Sequence, residues 1–295
     1  MSNGHSQVRQ LATCDGRKVS ASRSMRRVHL RKWLTLFGAV SIVAFMVFPV
    51  YWMVNVSLQP EARPSLVQPF PTAPSLDGYF QALQEQGNNL VTSLLIATGT
   101  VLFSLAIAVP AGYALSRMNW RITSLILLIV LISQMIPSIV IANAVYGRYV
   151  DLGLLNTIPG LILADASLGV PFAILIITAA MRTVPRELYD AATIDGAGQI
   201  RTLIKVAVPV TRNGIVTAGL FVFLFAWGDF LFALTLTTSP DVRPITLGLY
   251  TYIGAFVNDW STVMATAVLA SIPALLLLIV AQRYIAAGTT TGSVK

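Results

Sequence analysis

Six stretches of this chain run for more than twenty residues with at most one charge each: roughly 33–56, 90–115, 122–145, 158–180, 214–236 and 262–285. In lipid, every backbone N–H and C=O must find a partner inside its own segment or in a closed barrel. A spanning helix needs about 20 predominantly apolar residues, whereas barrel strands read as shorter alternating runs. The runs here are continuous. They predict an all-α integral membrane protein with six transmembrane helices. Composition agrees, with 55% of the 295 residues hydrophobic and 11% charged, where soluble domains carry about 25% charged residues.

The net charge of +8 is a topology signal before it is anything else. With the N-terminus in the cytoplasm, seventeen of the twenty Lys and Arg residues fall on the inner side, leaving only Arg63, Arg148 and Arg243 outside. That asymmetry sets both termini inside and removes the reason to invoke nucleic acid. The domain reading follows. Residues 1–32 form a basic cytoplasmic tail facing membrane lipids, and 33–56 the first helix, an uncleaved signal anchor. Residues 57–88 form an external Pro-rich segment and 89–285 a core of five more helices. Residues 286–295 form a cytoplasmic tail. The stretch ITLGLYTYIGAF, 245–256, is too short to span and reads as buried or interfacial.

Metal and thiol chemistry have little to work with. Cys14 is the single cysteine, which excludes an intrachain disulfide, and His5 and His29 both precede the first helix. The sequence LATC at 11–14 lacks the apolar stretch that a lipoprotein signal needs before it. No H-E-x-x-H motif and no nucleophile–base set argue for an enzyme, and no G-x-x-x-x-G-K-[ST] loop offers an ATP site.

Residues 181–213 make the one sizeable inner loop between spans, and within it ELYDAATIDGAG places Glu187, Asp190 and Asp195 among arginines and lysines. Pro185 suits a first helical position, and Glu187 suits the positive end of a helix dipole. Leu188, Ala191 and Ala192 share one face, and the small alanines let another backbone approach closely. Gly196 breaks that helix, and Asp195 is placed to cap the next. Ile200, Leu203, Ile204, Ala207 and Val208 then recur at helical spacing until Pro209. The expectation is helix, tight turn, helix.

The order DAATIDGAGQIRTLIKVAVP closely resembles the coupling-loop signature of binding-protein-dependent ABC import permeases, carried here by Asp190, Ala191, Ala192, Asp195, Gly196, Ala197, Leu203, Val206 and Pro209. Residues 88–295 resemble the maltose-transporter-type sugar permeases, specifically the smaller six-span subunit, through VPFAILIITAAMRTVPRELYDAA, FLFAWGDFLFAL and QRYIAAGTTTGSVK. The chain departs from that pattern in having Asp190 for the leading Glu and Asn213 for a Pro.

The resemblance implies a type I ABC importer architecture in the bacterial inner membrane. It implies as partners a second permease subunit in a heterodimer, two cytosolic ATPase subunits and an extracytoplasmic solute-binding protein. No cofactor would be bound by this chain, since ATP and Mg would sit on the partner ATPase. Docking to the ATPase would fall to Glu187, Asp190, Ala191, Ala192, Asp195, Gly196 and Ala197, with Gly292, Ser293 and Lys295 of the tail as a further contact.

For the translocation path, Asp165 and Asp229 are intramembrane acids, costly to leave facing lipid. Each reads either as a pore group for sugar hydroxyls or as a local structural residue. Gln134 and Trp227 are weaker candidates, together with Ser133 and Asn143. Pro110, Pro137 and Pro171 are expected to kink spans two, three and four. Two competing readings are an importer for a polyamine, phosphate or amino acid and, with less support, an ion-coupled secondary carrier.

Overall fold

The computed structural model describes residues 33, 35–60, 67–254 and 259–290; Cys14, both histidines and the tail residues Gly292, Ser293 and Lys295 lie outside them. The described residues form helices and loops with no strand. They divide into two units, 1–55 and 56–295. The first holds helix α1 (Thr35–Ser57) as far as Asn55, with large apolar side chains exposed between Leu36 and Val54 and Phe48 stacked on Trp52 at 5.9 Å.

The second unit begins with α2 (Asp77–Arg117), 41 residues long, about 60 Å at 1.5 Å per residue. It starts well before the apolar run at 90, so part of the segment read as an external cap is helical. Next come α3 (Trp120–Ser133) and α4 (Ser138–Asp151), which meet at 86°. Beyond them lies α5 (Ile158–Arg182). The third apolar run is therefore not one straight span. Pro137 acts as the N-cap of α4 at that break, whereas Pro110 and Pro171 lie inside helices that continue past them.

Four short or medium elements follow: α6 (Arg186–Ile194), α7 (Gln199–Thr202), a π-helical turn (Leu203–Ala207) and α8 (Val208–Val210). The run from Gln199 to Val210 then bends by 81° into α9 (Arg212–Trp227). The fifth apolar run breaks again after Trp227 and resumes as α10 (Leu231–Leu236). The short stretch after it forms α11 (Ile245–Gly254), with Ile245, Leu247 and Gly248 buried. It is short and only partly buried, with Tyr250 and Thr251 exposed, against the expectation of a buried or interfacial segment. Last comes α12 (Trp260–Thr290), which runs beyond the boundary at 285 drawn from hydropathy. Among the described residues, α1, α2, α5 and α12 are long and apolar enough to cross a membrane, and the total rises to six if each bent pair is one span.

Small residues hold the bundle together, as expected where lipid removes the hydrophobic drive between helices. Helices α2, α5 and α9 pack through Ala97, Ala108 and Gly112, through Gly169 and Ala173, and through Ala218 and Gly219. A Cβ on Gly112 would lie 2.8 Å from Ile177 Cγ2, and one on Gly169 would lie 2.9 Å from Ser104 Oγ. The helices approach to a distance that a methyl group would forbid.

At the far end from the α6 loop, Asn156 adopts φ 57° and accepts from the backbone N–H groups of Thr238 (2.6 Å) and Ser239 (2.8 Å). That clamp joins the α4–α5 loop to the segment after α10.

Candidate functional site

The loop between α5 and α9 is the first candidate, and its geometry follows from three residues. Pro185, at φ −56° and ψ 139°, is the N-cap of α6, one position earlier than the first helical turn expected for it. Glu187 sits in the first turn as anticipated, where the unpaired N–H groups favour negative charge. The helix ends in a Schellman turn. Gly196, at φ 74°, donates its N–H to Thr193 O (3.0 Å), and Ala197 donates to Ala192 O (2.9 Å).

Asp195 is the residue that ends α6, its N–H donating to Ala191 O at 3.0 Å. It does not cap the next helix as expected. Three residues intervene, and the N-cap of α7 is Gly198, with no side-chain cap.

The faces of α6 also differ from the expected arrangement. Ala192 is buried together with Tyr189, while Glu187, Leu188, Asp190, Ala191 and Asp195 are exposed. Alanine fits equally well against solvent, a partner or the chain's own core, so spacing could not say which alanine turns inward. Tyr189 decides it, and the sequence reading passed over it, although it is the lone aromatic of the loop motif.

Tyr189 belongs to a buried cluster with Tyr113 of α2, Met181 of α5, Val184 and Ala207. Its ring meets Tyr113 edge-on at 5.9 Å, and the Arg117 guanidinium lies 4.5 Å over it. Tyr113 Oη donates to Gln199 Oε1 (3.2 Å), so the second helix of the loop is tied to the same post. Burial pushes the Tyr189 phenol above its ordinary range, with Tyr113 adding to the shift and Arg117 opposing it.

Beyond the turn, the π-helical stretch 203–207 inserts extra residue per turn and rotates the faces. Thr202 and Ala207 are buried, while Ile200 (74% exposed) and Ile204 (59% exposed) are exposed, as is Ile194 (86% exposed) at the end of α6. The loop therefore presents isoleucines as well as acids. Apolar side chains left this exposed on an ordered helical pair suit a protein partner.

The second candidate is the polar set within the helices, and the structure gathers only part of it. Asp165, 8% exposed on α5, lies within electrostatic reach of Tyr149 and Asp229. Asp229 also serves as a cap, its carboxylate accepting from the N–H groups of Phe232 (3.3 Å) and Ala233 (3.0 Å) at the start of α10. Gln134 donates from Nε2 to Leu168 O (3.0 Å), fixing the α3–α4 break against α5. Trp227 is buried, stacks on Phe223 at 5.7 Å and donates to Ala270 O (3.0 Å). It is a packing residue between α9 and α12. Asn143 is exposed on α4, apart from this set.

Comparison with known proteins bears on what such a bundle does. Residues 101–291 match the family described as binding-protein-dependent transport system inner membrane component. The chain is 32% identical over 282 residues to the sulfoquinovosyl glycerol transport system permease protein SmoH of Agrobacterium fabrum, covering 94% of this chain and 99% of that one. It is 31% identical over 258 residues to the trehalose transport system permease protein SugB of Mycobacterium tuberculosis, covering 86% and 94%. Its fold is similar to that in the crystal structure of a bacterial ABC transporter involved in import of the acidic polysaccharide alginate. There the TM-score is 0.68 at 20% identity, over 84% of this chain and 96% of that one. With membrane helices, a family match over most of its length and permease relatives along nearly all of it, the chain belongs to the binding-protein-dependent transport system inner membrane component family, as a multi-pass ABC importer permease and not an enzyme.

Proposed function

We propose that this chain is the smaller, six-span member of a heterodimeric permease pair in a bacterial sugar importer, with N- and C-termini in the cytoplasm. Its α6–α8 loop would be the coupling element that docks on a cytosolic ATPase. The observation that carries this reading is the build of that loop: a nine-residue helix ended by a Schellman turn, seated by Tyr189 and turning Glu187, Asp190, Ala191 and Asp195 outward. Counting α3 with α4 and the pair ending in α9 once each supports six spans. The distribution of Lys and Arg supports the orientation. The names of the relatives, which specify a sugar glycerol conjugate and trehalose, support the substrate class.

In this mechanism ATP and Mg²⁺ bind the partner ATPase, and an external binding protein delivers the solute. Closing of the ATPase pair would push α6 as a body, because Tyr189 and Gln199 bind both halves of the loop to the end of α2. Displacement then reaches α5 and α9 through the small-residue contacts at Gly112 and Gly169. The exposed acids set register with cationic groups on the ATPase, and the small Ala191 side chain lets the surfaces approach.

Detergent extraction followed by affinity purification is expected to recover an ATPase and a second permease in stoichiometric amounts. Reconstituted with its binding protein, the complex should take up sugar with ATP consumption. Stimulation by an amino-acid-loaded binding protein without any sugar would overturn the substrate class. Cys14 supplies the orientation test, since it is the single thiol in the chain. An impermeant maleimide should label it in inside-out vesicles and spare it in right-side-out ones.

A further inference from the structure

A cavity of about 390 Å³ opens where α2 ends, α3 begins, α5 ends and α6 starts, lined by residues that include Arg117, Trp120, Arg182, Arg186, Tyr189 and Asp190. Three arginines and one acid thus line the same cavity. None of the three arginines makes a salt bridge among the described residues. Two buried donors that belong to these lining residues also lack any hydrogen-bond partner among the described residues. They are the hydroxyl of Tyr189, a residue only 3% exposed, and the buried Nε of Arg182. Buried donors left unpaired cost stability, which makes an acceptor arriving from outside the chain favourable.

We propose that this cavity binds the phosphate of an anionic phospholipid headgroup at the lipid–water boundary. The chemistry required is an anion with several acceptor oxygens, since guanidinium forks and a phenol O–H all donate. Arg117 lies over the Tyr189 ring at 4.5 Å and Arg182 over the Trp120 ring at 4.3 Å, contacts that hold both guanidinium groups near the cavity. Asp190 lies at an exposed position and limits how negative the ligand can be.

The lipid source follows from the neighbourhood. Trp120 is 69% exposed, and α3 leaves Ile122 and Leu125 exposed further along, so acyl chains have apolar surface on the helix that borders the cavity. Trp and Arg at helix ends belong to the membrane interface. Arginines that merely snorkel send their heads to water; here Arg182 Nε is buried instead. The inference goes beyond the permease function and requires only that this end of the bundle meet the bilayer surface.

The test uses the intact importer complex in nanodiscs of phosphatidylcholine with a minor fraction of phosphatidylglycerol, with retained lipid counted by native mass spectrometry. The wild type is expected to keep phosphatidylglycerol through detergent washing, and Arg182→Gln to weaken that retention about tenfold. Tyr189→Phe keeps the ring packing and removes only the hydroxyl, so it should weaken retention severalfold in a complex of unchanged thermal stability. Arg121→Gln, at the same boundary but outside the cavity, should change nothing. Equal retention by all variants, or equal loss in Arg121→Gln, would overturn the site. Displacement of the lipid by inorganic phosphate alone would overturn the lipid as its source. ATP-driven uptake is read separately, so failure here leaves the transport reading to its own test.

Discussion

Replacing Gly196 by valine isolates the turn between α6 and α7 from everything around it. Gly196 holds φ 74°, and a Cβ built there meets no atom within 4 Å. Crowding therefore contributes nothing, and the whole cost is backbone conformation. Holding an L-residue in the left-handed region costs roughly 1–2 kcal/mol, and a β-branched side chain costs more. Unwinding instead would release the two turn hydrogen bonds, from Gly196 to Thr193 and from Ala197 to Ala192.

One to two kcal/mol lowers the docking-competent population about 5–30-fold. Gly196→Ala should sit in that range, Gly196→Val beyond it, and Gly196→Asn close to wild type because Asn tolerates the left-handed region. The assay is sugar uptake per ATP consumed in proteoliposomes, with the amount of copurified ATPase measured on the same samples. Because Tyr189 and the membrane helices are untouched, yield and thermal stability of the permease should hold. The reasoning fails if Gly196→Asn is as damaged as Gly196→Val, or if valine there supports normal uptake.

Other perturbations separate the inner and outer faces of the same helix. Tyr189→Ala deletes the ring that seats α6 and should destabilise that end of the bundle by about 3–5 kcal/mol, read as a lower melting temperature and faster proteolysis within 186–210. Asp190→Ala and Glu187→Ala lie at exposed positions, so each should change permease stability by less than about 0.5 kcal/mol; the one that lowers ATPase copurification identifies the register contact. Asp229→Ala removes the carboxylate that caps α10 and should cost about 0.5–2 kcal/mol of thermal stability, whereas Asp229→Asn retains most of it. Loss of uptake in Asp229→Asn at normal stability would instead point to a role in the path.

The elements most readable in the sequence were those set by composition and by single special residues. Long apolar runs located the helices, and Gly196 marked the left-handed turn because its neighbours could not adopt it cheaply. ITLGLYTYIGAF was too short to span, and its first ten residues form the partly buried α11. The sharp break after Ser133 and the interruption after Trp227 were hidden, because hydropathy registers which residues are apolar and not the direction in which they run. Even Pro137, expected to kink a span, sits at an 86° corner, while Pro110 and Pro171 are accommodated inside continuous helices.

Within the site, charge placed the acids on the loop, but the inner face depended on tertiary contact. Tyr189 finds Tyr113 and Arg117 from a helix more than seventy residues earlier, a pairing that spacing along the chain does not encode. That contact turned Ala192 inward and left Ala191 outside. Asp229 and Trp227 could be placed as polar groups in a span; Asp229 meets Ala233 locally, at the start of α10, whereas Trp227 finds Ala270 across a chain reversal that periodicity cannot supply.

The two sides of α6 obey different laws toward dissolved ions. Outward, Glu187, Asp190 and Asp195 stand in water, where salt screens their attraction within about 8–10 Å at ordinary ionic strength. Inward, the helix is seated by ring contact and buried packing around Tyr189, which salt weakens far less. A salt gradient therefore works as a selective solvent for this joint. Rising ionic strength should strip the partner away while α6 stays docked on α2, yielding a detached permease whose coupling element is still folded and ready to rebind on dilution.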